Sequence, residues 1–91
     1  MLVKLTEVYE IPSESRYGLR QVSVNPQHVV AIREDFIAKQ ALMENRMPSG
    51  LDRRAEFSRV YLNNGNLNIV VVGSQNSIEE SFQSVRQLLK G

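Results

Sequence analysis

The stretch FSRVYLNNGNLNIVVV, residues 57–72, predicts a β-hairpin and decides the fold class. Both of its halves are rich in β-branched and aromatic residues, which favour strands. Between the halves lies Asn64-Gly65, a dipeptide typical of tight hairpin turns because both residues tolerate positive φ. The apolar run 69–72 does not alternate, so we expect both faces of this strand to be covered. The last helix would cover Val70 and Val72, and another sheet or subunit would cover Ile69 and Val71.

The segment that follows this hairpin predicts a C-terminal helix. Residues 77–80, Ser-Ile-Glu-Glu, have the pattern of a capping box, in which the serine and the second glutamate satisfy free amides at the helix start. Gly91 is expected to end the helix. Apolar residues recur between these ends at helical spacing: Ile78, Phe82, Val85, Leu88 and Leu89.

Three more strands precede the hairpin. We predict them over residues 2–10, 16–24 and 28–34, separated by the turn residues of 11–15 and 25–27. In the third of these strands we expect Val30 and Ile32 to face the core.

Residues 35–56 form an insertion between two of the predicted strands. Asp35 is expected to cap a short helix over 36–45, with Ile37, Ala41 and Leu42 on one face. A loop containing Pro48 and Gly50 follows. An insertion of about twenty residues is longer than most loops in compact domains, and such loops are often functional.

These elements predict an α+β fold. We expect an approximately five-stranded, mainly antiparallel twisted sheet, one C-terminal helix and the loop and short-helix insertion, all within a single domain over residues 1–91. A chain of 91 residues supports only a thin core. We therefore expect a homo-oligomer that associates through strand edges or through the insertion.

The composition excludes several classes of protein. The chain has no cysteine, so we expect no disulfide framework, no thiolate nucleophile and no cysteine metal site. The amino-terminal residues lack the pattern of a secretory signal, and no apolar run is long enough to span a bilayer. The expectation is a cytoplasmic protein without membrane contact, bound metal or cofactor.

The sequence offers no convincing catalytic group. His28 is the sole histidine and lies beside a turn, where a surface or hydrogen-bonding role is the usual one. The serines at 13–15 and 74–77 fit turn and cap chemistry and do not match a nucleophile elbow. We expect no enzymatic activity.

Arginine dominates the basic residues, with eight arginines against three lysines in a chain of net charge +1. The site prediction consists of Arg53, Arg54 and Arg59, together with Arg33 from a neighbouring strand. Planar guanidinium groups that converge can hold phosphate or carboxylate. The alternative interpretation is internal ion pairing with neighbouring acids, since acids and bases are interleaved here: Asp52, Glu56 and Glu34.

Several positions resemble the small flagellar accessory proteins of the FlbD type, which are short β-rich chains ending in one helix. The likeness is carried by Leu5-Thr6, Asn25, 28–30, Ile32, 60–65, 71–72, Ser74 and 78–80. This resemblance implies the fold and supplies no catalytic residues. A phage-encoded relative is a related hypothesis. The chain departs from the family at the hairpin arm 10–20 and at the insertion.

Three functional hypotheses follow from the sequence. The leading one is a non-enzymatic homo-oligomeric module that binds an anion through its loop arginines, either a nucleotide-like small molecule or an acidic partner surface. The second is a regulatory, nucleic-acid-associated protein that uses the same arginines, although the near-neutral net charge argues against broad affinity for nucleic acid. The third is a structural protein–protein interaction module whose arginines form internal ion pairs only.

Overall fold

The computed structural model describes residues 1–63 and 67–90, and of residues 85–90 only the backbone. The predicted α+β fold is confirmed, with five strands and two helices. Short 3₁₀ turns at Pro12–Glu14 and Pro26–His28 link the first three strands. The elements in chain order are β1 (Val3–Ile11), β2 (Arg16–Val24), β3 (Val29–Glu34), α1 (Phe36–Met43), β4 (Phe57–Leu62), β5 (Asn68–Val72) and α2 (Gln75–Lys90).

All five strands form one antiparallel sheet in the order β2-β1-β5-β4-β3, so that β2 and β3 are its edges. Strands β1 and β2 pair along nine residues. The ladder between β1 and β5 is much shorter, because it joins only Glu7 to Val71 and Val8 to Val70. The outer part of the β1–β2 hairpin therefore extends past the neighbouring strand as a two-stranded arm.

Helix α2 covers one face of the sheet, which we call the α2 face. The apolar side chains between sheet and helix are nearly all buried, and burial of this kind is the main favourable term in folding. Val60 and Val71 are inaccessible to solvent. The buried cluster consists of Val3, Leu5, Val24, Val60, Val71, Ile78 and Phe82.

Helix α1 packs on the opposite face, which we call the α1 face. Its buried cluster is smaller and consists of Val8, Ala38, Leu42 and Phe57. Val70 and Val72 pack against this cluster, whereas Ile69 and Val71 contact the α2 cluster. The expected faces of β5 were therefore reversed. The prediction that both faces of this strand are covered is correct, since each is covered by a helix.

Two residues that were expected in the core are exposed. Val30 lies at a register shift between β3 and β4, where a β-bulge breaks the alternation of side chains, and 64% of its surface is accessible. Ile37 is 67% accessible because Ala38, Ala41 and Leu42 form the buried side of α1. Helix α1 ends at Met43, two residues before its predicted end.

The helix caps divide into one confirmed prediction and one error. Asp35 caps α1 as expected, since its Oδ2 accepts a hydrogen bond from the Ala38 amide at 3.0 Å. Helix α2 begins at Gln75, and the Oγ of Ser74 accepts from the Ser77 amide at 3.1 Å. Ser74 is therefore the cap, and Ser77 lies inside the first turn. The predicted Asn64-Gly65 turn lies outside the described residues.

Candidate functional site

Arg59 lies at the centre of a polar network on the α1 face. Its Nε donates to Asp35 Oδ1 at 3.1 Å, and its Nη1 donates to Asn68 Oδ1. Asp35 is almost buried, while 30% of the Arg59 side chain remains accessible. The same carboxylate thus caps α1 and fixes the orientation of a partly exposed guanidinium. These hydrogen bonds use Nε and Nη1, and Nη2 makes no hydrogen bond to another described residue, so it is available to a ligand.

Arg33 lies directly opposite Arg59, because the two residues are partners in the ladder between β3 and β4. Side chains of opposite residues in an antiparallel pair lie on the same face, with Cβ atoms about 5 Å apart. The Arg33 guanidinium lies over the Tyr61 ring, 5.9 Å from its centroid. Within residues 1–63 and 67–84, no carboxylate forms an ion pair with Arg33.

A cleft of about 270 Å³ opens beside this pair, where β1 and β5 cease to pair. Val8 and Val70 line it from the sheet, and Ile37 lines it from α1. Its polar lining includes Asp35, Arg59, Asn68, Tyr17 and Glu10. The cleft therefore combines an apolar part with an oriented guanidinium, which suits a small ligand that carries an acidic group.

The remaining two predicted arginines lie in the loop that follows α1. Arg53 donates from Nη1 to Asn45 Oδ1 at 3.3 Å, and Lys39 holds the loop by donating to the carbonyls of Arg53 and Ala55. Arg54 forms an ion pair with Asp52 at 3.5 Å, although 93% of its side chain is exposed. The Arg54 amide, and then its guanidinium, lowers the pKa of Asp52.

The four predicted arginines thus fall into two groups. Arg33 and Arg59 are adjacent on the sheet, whereas Arg53 and Arg54 lie on the loop, and no hydrogen bond between the described residues joins the groups. Of the acids that were expected to pair with them, Asp52 pairs with Arg54. Glu34 and Glu56 form no ion pair with a described arginine.

Sequence reasoning missed the ion pair of Asp35 with Arg59 and the contribution of Asn68 and Tyr17 to the cleft. Asp35 was recognised only as a helix cap, and it is 24 positions away from Arg59. One signal was available in the sequence. Arg59 precedes Val60 on a predicted strand, and successive side chains of a strand point to opposite faces, so Arg59 lies on the face opposite to Val60.

The other candidate features, which include His28 and a groove on the α2 face, offer fewer groups that could bind a charged ligand. His28 Nδ1 lies 3.0 Å from Asn63 Oδ1, which fits the expected hydrogen-bonding role. These two residues border a groove of about 550 Å³ on the α2 face whose other lining is mostly apolar: Val22, Val24, Leu62, Leu67 and Ile69. The described residues contain no cluster of three potential metal ligands. They also contain no helix long and apolar enough to cross a membrane.

Searches against protein-family models, curated proteins and solved structures found no match to this chain. The FlbD-type resemblance therefore stays a prediction.

Proposed function

We propose that this protein is a non-enzymatic, homo-oligomeric binding module whose ligand is an anion or a nucleotide-like molecule. The observation that carries this proposal is the placement of Arg33 opposite Arg59 on an open sheet face, next to the cleft. Two guanidinium groups on adjacent strands present planar sets of donors that match a phosphate or carboxylate group.

Electrostatics favour an anion at this pair. Like charges directly opposite each other on neighbouring strands destabilise a sheet. Asp35 neutralises one of the two arginines, whereas among the described residues Arg33 contacts the Tyr61 ring and forms no ion pair. An anion bound between the two guanidinium groups would remove the remaining repulsion. The ligand would thereby stabilise the folded protein.

The loop arginines form the outer part of the proposed site. Arg53 contacts an amide oxygen rather than an acid, and Arg54 is almost fully exposed beside Asp52. Exposed ion pairs of this kind contribute little, so a ligand can compete with Asp52 for Arg54. A large ligand, such as an acidic partner surface, would reach this loop more easily than a small one.

The test is calorimetric titration with adenosine monophosphate and with inorganic phosphate. Arg33→Ala should weaken binding at least about tenfold, because it removes one of two charged donors. Arg16→Ala is a matched control, since Arg16 is exposed and pairs with Glu14 at 3.3 Å. Equal losses in the two variants, or no binding of any anion, would refute the proposal. A loss confined to an Arg53→Ala/Arg54→Ala variant would move the site to the loop.

The proposed self-association is supported by the strand edges. Strands β2 and β3 are unpaired on their outer sides within the sheet, and exposed apolar residues lie on or just after β3: Val30, Phe36 and Ile37. Light scattering at micromolar concentration should show an oligomer. Val30→Lys, which places a charge on the edge, should shift it towards monomer. A monomeric wild-type protein would contradict this part of the proposal, which also includes a cytoplasmic location.

A further inference from the structure

Each of the three tyrosines lies under an arginine guanidinium. Such cation–π pairs join a flat aromatic surface to a planar cation. Two of the pairs lie on the α1 face and one lies on the α2 face. The distances from guanidinium carbon to ring centroid are 4.5 Å for Arg20 over Tyr9, 5.3 Å for Arg46 over Tyr17 and 5.9 Å for Arg33 over Tyr61.

The two pairs on the α1 face lie in one row that crosses the sheet. Tyr17 on β2 is the ladder partner of Glu10 on β1, and Asn68 on β5 is the partner of Tyr61 on β4. The cleft that contains Arg59 lies between Glu10 and Asn68. From β2 to β4 the row crosses three strand spacings, and since paired strands lie about 4.8 Å apart while β1 and β5 are not paired at Glu10 and Asn68, its span exceeds about 14 Å.

We propose that this row binds a single-stranded nucleic acid, with one base at each arginine–tyrosine pair and the intervening backbone over the cleft. This inference rests on the proposed function and specifies its ligand. Single strands are bound by aromatic rings on which bases stack, combined with cations that follow the phosphates. Here the rings are Tyr17 and Tyr61, and the cations are Arg46, Arg59 and Arg33.

The geometry favours a single strand over a duplex. Stacking on a tyrosine or a guanidinium requires an exposed base face, which a duplex hides within its own stack. A base held between Arg33 and Tyr61 needs about 7 Å, or two van der Waals contacts of about 3.5 Å each. The Arg33 guanidinium carbon lies 5.9 Å from the Tyr61 ring centroid, and the Arg33 side chain can move to admit a base because it is exposed and has no ion pair to a described acid.

The negative charge of Glu10 would repel the phosphates of this ligand. Glu10 is exposed and lines the cleft between the two arginine–tyrosine pairs. The other two acids of the row are already paired, Asp35 with Arg59 and Glu44 with Arg46. Glu10 should therefore weaken binding, and Glu10→Gln should strengthen it.

The test is fluorescence anisotropy with a labelled oligothymidine, the same oligonucleotide annealed to its complement, and adenosine monophosphate. Tyr61→Ala should weaken single-strand binding about fivefold or more, the loss of one stacked base, whereas Tyr61→Phe should keep it. Arg46→Ala tests the far end of the row without removing the partly buried Tyr17. Binding should fall with salt at a slope near −2 in log–log form, as expected for three phosphate contacts on a single strand.

Arg20→Ala is the matched control, because it removes the arginine of the third pair, which lies on the α2 face. It should leave binding unchanged. Equal affinity for duplex and single strand, or an Arg46→Ala variant that binds like wild type, would overturn the inference. If the mononucleotide still binds and Arg33→Ala abolishes its binding, the proposed function stands and only the single-strand assignment fails. If neither ligand binds, both fail.

Discussion

The two faces of the sheet differ in what their side chains do. The α2 face is apolar along most of its area, and its side chains are buried against one long helix. The α1 face is apolar only beneath α1 and the following loop. Beyond α1 it carries Arg33, Arg59, Tyr61 and Asn68, of which Arg59 and Asn68 border the cleft.

This difference assigns the two faces different roles: the α2 face mainly stabilises the fold, and the open part of the α1 face is the proposed binding surface. A face covered by a helix of 16 residues can be wholly apolar, whereas α1 has eight residues and leaves part of its face open. The uncovered part is accessible to solvent, and Arg33 and Arg59 supply much of its polarity. Substitutions of the buried residues on the α2 face should therefore change stability, and substitutions in the open row should change binding.

The largest expected effect on the free energy of unfolding is that of a substitution on the α2 face. Phe82→Ala should lower the free energy of unfolding by about 3–5 kcal/mol, because it leaves a cavity where a side chain only 3% accessible was packed. Urea denaturation followed by circular dichroism measures this change. If Phe82→Ala unfolded with wild-type stability, the α2 face would not be the main core.

An intermediate effect on stability is expected at Asp35, which caps α1 and also forms the ion pair with Arg59. Asp35→Ala should lower stability by about 2 kcal/mol, since it removes a helix cap and leaves Arg59 without its carboxylate. Asp35→Asn keeps the cap and loses the charge, so thermal denaturation should place it between wild type and Asp35→Ala. An Asp35→Asn variant that melted at the wild-type temperature would show that the ion pair with Arg59 contributes nothing.

The smallest effect on stability is expected at Arg20, an exposed residue of the edge strand β2. Its side chain pairs with Glu7 at 3.0 Å, and this hydrogen bond raises the pKa of Arg20. Exposed ion pairs contribute little to stability, so Arg20→Ala should melt at the wild-type temperature within error. A clear drop in melting temperature would mean that this exposed ion pair, and not only the two buried clusters, contributes to stability.

The local parts of this architecture could be predicted from the sequence. The strands of the 57–72 hairpin, the Asp35 cap and the turn at 25–27 depend on neighbouring residues, and the structure confirms them. The Ser74 cap shows a limit of the same reasoning. Both Ser74 and Ser77 suit a helix start, and only the observed hydrogen bond distinguishes them.

Properties that depend on distant residues could not be predicted. The exposure of Val30 depends on a bulge in its pairing with β4, and the faces of β5 depend on which helix packs on each side. The prediction of the site was incomplete for the same reason. Four arginines were selected, but their division into a sheet pair and a loop pair depends on strand order and on the direction of the loop.

The most direct test of the binding surface is a ¹H–¹⁵N NMR titration of the wild-type protein with a short oligothymidine. The account predicts that the amide shifts concentrate along the row, at Tyr17, Arg33, Tyr61 and Asn68. The α2 face, including Val71 and Phe82, should remain unchanged. Shifts confined to the α2 face or to the loop at Arg53 and Arg54, or no shifts at all, would contradict the account.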